Sequence, residues 1–69
     1  MSDSVYKVIE LIGTSSNSWE EAAKKAVERA TKTLREVRIA EVAELDMKIE
    51  ENKVAMYRAR VRVSFKFEN

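Results

Sequence analysis

Two stretches of this chain, 37–50 and 54–67, alternate apolar and polar side chains with a period of two, and only a short polar break separates them. Val37, Ile39, Ala43, Leu45, Met47 and Ile49 alternate with Arg38, Ala40, Val42, Glu44, Asp46, Lys48 and Glu50. Glu41 alone puts a charge on the apolar side. After Glu51, Asn52 and Lys53, the residues Ala55, Tyr57, Ala59, Val61, Val63, Phe65 and Phe67 share one face, and Arg58, Arg60, Arg62, Ser64 and Lys66 the other. A period of two is that of a strand, so the pair predicts a long β-hairpin. With the loop centred on Asn52, Asp46 faces Arg58 and Glu44 faces Arg60, each pair contributing about 0.2 to 1 kcal/mol. A register shift of two would keep the faces and change the partners.

Upstream, Val5 to Ile12 is dense in β-branched and apolar residues and predicts a strand over 5–12, ended by Gly13, Thr14, Ser15, Ser16 and Asn17. Ser18 to Glu21 matches the S-x-x-E capping box, in which the serine accepts from the N3 amide and Glu21 reaches back to the cap amide. A helix over 19–34 follows. Its apolar stripe, Trp19, Ala22, Ala23, Ala26, Val27, Ala30 and Leu34, is rich in small residues and lets the helix lie close on a sheet. The order is βαββ, an α+β fold within a single domain over 1–69, with no linker or repeat.

Size then decides the state of association. A 69-residue chain has a core that rarely supplies more than about 3 to 5 kcal/mol, and such chains are reinforced by disulfides, metals or oligomerisation. There is no Cys and no His, so disulfides and the usual zinc ligands are excluded. One helix covers only one face of a three-stranded sheet, and long bare strand edges invite pairing. A closed homo-oligomer is expected.

Several function classes recede on the same residues. Apolar runs of two or three residues fit neither a membrane span nor a signal peptide, and a cytoplasmic protein is expected. No nucleic-acid partner is expected either, because the net charge is only +1 and Tyr57, Phe65 and Phe67 have the opposite parity to Arg58, Arg60, Arg62 and Lys66. An enzyme is not expected: Ser15, Ser16 and Ser18 lie where capping accounts for them, and no histidine exists to activate a hydroxyl. Glu44, Asp46 and Glu50 offer hard oxygen atoms of the kind Ca²⁺ or Mg²⁺ takes, without EF-hand spacing, so an ion site would gather carboxylates from several subunits. Glu41 must reach solvent, a partner subunit or a cation.

Taken together, VYKVIELIGTSSNSWEEAAKKAVERATKTLREV and the hairpin ending RVRVSFKFEN resemble the dodecins, small βαββ proteins that form hollow twelve-subunit shells and bind and store flavins. The likeness spans nearly the whole chain. It implies a homododecamer with FMN, FAD or riboflavin sites between subunits, where a tryptophan of the second strand stacks on the isoalloxazine ring and a glutamine of the third hydrogen-bonds to it. Those positions fall on Ile39 and Arg58 here. Isoleucine has no π face, and arginine lacks an acceptor, so flavin affinity is expected to fall. Arg38, Glu41, Glu44 and Asp46 are the further candidate ligand or ion contacts. The Ser-Trp-Glu helix opening and the Asp-Met of the second strand resemble a dodecin subgroup that lacks the tryptophan and is associated with calcium. Trp19 is read as a packing residue of the first helical turn.

Overall fold

The computed structural model describes residues 3–67; the ends of the domain expected over 1–69, and of the hairpin ending RVRVSFKFEN, lie outside the described residues. The elements are β1 (Tyr6–Ser15), α1 (Trp19–Thr33), β2 (Val37–Glu50) and β3 (Lys53–Lys66). They form one three-stranded antiparallel sheet in the order β1-β3-β2. The β-rich first segment does not stop at Gly13 but continues to Ser15, because Gly13 pairs with Ala59 and Ser15 with Tyr57. Gly13 is therefore no breaker here. A Cβ on it would lie 2.0 Å from the Ala22 carbonyl oxygen and 3.1 Å from the Ala26 Cβ, so its bareness lets the helix approach the strand.

The helix lies on the β1–β3 side of the sheet. Its alanines Ala22, Ala26 and Ala30 are buried against Ala59, Val61 and Val63 of β3, with Ile9, Leu11, Val27 and Leu34 packed at the margin. This is the stripe that the sequence predicts. Ser18 caps the helix by accepting from the Glu21 amide at 3.0 Å. The other half of the capping box does not form. Glu21 instead accepts from the hydroxyl of buried Ser15 and, at 2.9 Å, from Asn17 Nδ2, while the Ser15 Oγ accepts from the amides of Asn17 at 2.9 Å and Ser18 at 3.4 Å. A buried serine at the end of β1 thus does the work expected of the glutamate. These hydrogen bonds, and Lys25 and Lys24 nearby, hold the Glu21 carboxyl below the usual range.

The predicted hairpin forms, but its turn is shorter than the expected break at Glu51, Asn52 and Lys53, and both of its strands are irregular. Glu50 pairs with Lys53, and Glu51 and Asn52 between them have φ of 51° and 62°, which makes a two-residue turn of the I′ kind. The pairing shifts between Val37 and Ile39, between Val42 and Glu44, and between Lys48 and Ile49, so Arg38 and Ala43 of β2 and Ala55 of β3 are extra residues of β-bulges. Each bulge reverses the parity. Ala40 and Val42 pair with Val63 and Val61 on the helix side, whereas Ile39 and Glu41 pair with Ser64 and Arg62 on the opposite side. The expectation that Ile39 and Glu41 share a face with Leu45 and Met47 is corrected accordingly: Glu41 does not break an apolar face, because the strand turns over two residues later.

Candidate functional site

The side of the sheet away from the helix is open, and cross-strand pairing sets what it displays. Residues paired across an antiparallel ladder project to the same side. Four successive rows cross the three strands: Val8, Ser64 and Ile39; Glu10, Arg62 and Glu41; Ile12, Arg60 and Glu44; Thr14, Arg58 and Asp46. The β3 arginines form its spine, each with a β2 carboxylate beside it, and Arg62 has Glu10 of β1 as well. Arg58 donates through Nε to Asp46 Oδ1 at 2.7 Å and through Nη2 to Oδ2 at 2.9 Å, a two-pronged pair. Arg60 lies 3.5 Å from Glu44. Arg62 donates to Glu10 at 3.1 Å and approaches Glu41 at 3.9 Å.

Both predicted hairpin ion pairs are therefore present. Glu10 was not singled out in the sequence, because its meeting with Arg62 depends on the β1–β3 register and carries no local signal. Hydrogen bonding from Arg58 is the main cause holding the Asp46 carboxyl below its ordinary value, and the same bond raises the guanidinium's own affinity for its proton. Arg38, the bulge residue, pairs with Glu36, which itself holds a left-handed φ of 60°.

Ile39 and Arg58 belong to different rows. Ile39 stands beside Ser64, six β3 residues from Arg58, which is about 20 Å along a strand. Within one chain they do not converge on one small ligand. Ile39 is 62% exposed, and Val8 and Ile12 on the same side are about half exposed. Among the described residues no three acidic side chains gather closely enough to hold a metal ion. Glu41, Glu44 and Asp46 line one edge of the open side instead, each within reach of an arginine.

On the helix side, Trp19 lies at the first turn of α1. Its indole N–H donates to the Asp46 carbonyl at 3.0 Å, and its ring meets Tyr57 edge-on with centroids 5.1 Å apart. Trp19 thus packs, as predicted, and also ties the helix start to β2, 27 residues away. Beside it an open groove of about 540 Å³ is lined by Trp19, Glu20, Ala23, Val42 and Leu45. Among the described residues no helix is long and apolar enough to cross a membrane.

Comparison with known proteins agrees with this architecture. The dodecin family model matches residues 5–68. Calcium dodecin of Mycobacterium tuberculosis is 49% identical over 63 residues, spanning 91% of this chain and 89% of the relative. Dodecin of Thermus thermophilus is 42% identical over 93% of each chain. Among solved structures, dodecin from Streptomyces coelicolor superposes with a TM-score of 0.91 at 35% identity, covering 100% of this chain and 99% of its own. The calcium-chelating antigen calcium dodecin of M. tuberculosis, solved with a calcium-binding site, gives 0.84 at 48% identity and covers 94% and 93%.

Proposed function

Since the chain belongs to the dodecin family, we propose that it is the protomer of a non-enzymatic binding and storage shell, a homododecamer whose ligand sites form where the open sides of neighbouring copies meet. The observation that carries this reading is the separation of Ile39 from Arg58 on one uncovered side. A site using both must draw them from different copies. Sequestration is the activity, and the cytoplasm is its compartment.

The ligand class implied by the family is a flavin: riboflavin, FMN or FAD. This chain holds it weakly. Ile39 gives dispersion without the offset aromatic contact, worth about 0.5 to 1.5 kcal/mol beyond burial. Arg58 has its Nε–Nη2 edge engaged by Asp46, so turning that edge toward a ligand costs the pair. A second reading is favoured by the 49% identity to calcium dodecin and by the row of Glu41, Glu44 and Asp46 on the open side: carboxylates of several copies converge on Ca²⁺ or Mg²⁺.

Light scattering on the purified protein, with absorbance and elemental content recorded on the same peak, tests the shell. A twelvefold mass is expected, and a lone 8 kDa species overturns the reading. Titrating apo-protein into riboflavin, FMN and FAD is expected to quench their fluorescence only at high protein concentration. Unquenched emission throughout, with calorimetric heat on adding Ca²⁺, selects the cation reading.

A further inference from the structure

The apolar groove on the helix side is the surface that the proposed ligand sites leave unexplained. The Ala43 bulge returns Val42 and Leu45 to the helix side, yet the helix lies over β1 and β3 and does not cover them: they are 50% and 51% exposed. The apolar strip does not end at the groove. By alternation Met47 and Ile49 follow on the same side, and Val54 pairs with Ile49; all three are exposed, Ile49 by 56%. This part of the hairpin projects past the helix start, which Trp19 pins at Asp46, by about 14 Å. One end of the strip is thus a hollow beside a helix, and the other is a bare projecting arm.

We propose that a second copy of this chain lays its arm, with Met47, Ile49 and Val54, into the groove formed by Trp19, Ala23, Val42 and Leu45, and receives the first copy's arm in return. Such a contact is self-complementary, as a two-fold interface requires. The surface available fits it. The chain exposes 5521 Å², against about 4,450 Å² for a compact monomer of its mass, and the excess exceeds the roughly 800 Å² a side that a stable interface buries. The groove lining is apolar apart from Glu20, which suits aliphatic side chains better than a charged ligand. This inference rests on the assembly reading above and names the segment that seats each copy on the next.

The chain has no cysteine, so an introduced pair reports without background. In a Leu45→Cys, Ile49→Cys variant the two sites lie four residues apart on one strand, about 13 Å, too far for a bridge within the chain. Mild oxidation of the assembled protein is expected to give covalent dimers on a non-reducing gel. Independently, Ile49→Asp is expected to raise the protomer concentration at which the assembly dissociates by about tenfold or more, with the far-ultraviolet circular dichroism of the assembled form unchanged. An assembly that forms no covalent dimers and dissociates at an unaltered concentration in Ile49→Asp overturns the arm-in-groove contact while the shell stands. A small molecule recovered from the groove of an assembled sample overturns it too. A wild-type chain that stays at 8 kDa overturns both.

Discussion

Gly13 shows how much one atom can matter in a core made of alanine and valine. The Ala22 carbonyl occupies the place where a Cβ would go, and backbone cannot yield as a long side chain can. Gly13→Ala is therefore expected to cost about 1 to 3 kcal/mol and to lower the thermal midpoint, read by circular dichroism; an unchanged midpoint would show that the helix can lift off the strand freely. Asp46 carries a different kind of dependence. Its carboxyl is held below the ordinary value, chiefly by hydrogen bonding from Arg58. A depressed folded-state value means that the contribution to stability is present above the unfolded carboxyl's value of about 3.9 and is lost as pH falls through the lower folded one. Asp46→Asn removes this contribution at neutral pH. The melting curves of variant and wild type are expected to differ at pH 7 and to converge in the acid range below about 3.9; a gap that persists there would assign the effect to packing.

At the scale of elements, the hairpin turn is the feature with room for improvement. Glu51 and Asn52 both hold positive φ, which asparagine tolerates and glutamate does not favour. Replacing Glu51-Asn52 by Asn-Gly is expected to stabilise the protein by about 0.5 to 1 kcal/mol, seen as a raised thermal midpoint, and a lowered one would mean that the Glu51 side chain makes a contact the turn needs. The pairs Asp46–Arg58 and Glu44–Arg60 were legible from alternation and charge, but the turn was not: Lys53 pairs with Glu50, and the extra residue Ala55 restores the register that a loop centred on Asn52 would give. Nor was the face of Ile39 legible. Alternation counted from Leu45 backward is inverted by the extra residue Ala43, and an alanine in a strand carries no mark of a bulge. The same inversion made Glu41 look like a charge in the core when it faces Arg62. At the helix start the serine cap was legible from S-x-x-E, but the partner of Glu21 was not, since Ser15 reaches it only because β1 runs on through Gly13. The candidate positions Ile39 and Arg58 came from family likeness alone; their separation along the sheet needed the register.

For the molecule as a whole, shape is the decisive quantity. A radius of gyration of 14.3 Å and extents of 53 × 19 × 15 Å compare with about 11 Å for a compact chain of this length. The helix, about 22 Å long, spans less than half of the long axis. The lone protomer is an arm with a small core, and among the described residues the buried apolar ones are alanines and valines, the side chains that contribute least per residue. In the proposed shell, folding draws on contacts between copies, and anything that binds only the folded state stabilises it by mass action. If dissociation and unfolding are one event, raising the protomer concentration a hundredfold adds about 2.7 kcal/mol per protomer, and for a domain of this size that moves the thermal midpoint by about 10 to 20 °C. Scanning calorimetry at 1 µM and 100 µM is the measurement. A midpoint that stays fixed while the mass in solution falls to 8 kDa on dilution would mean that the protomer stands alone, and the exposed strip from Val42 to Val54 would then need another explanation.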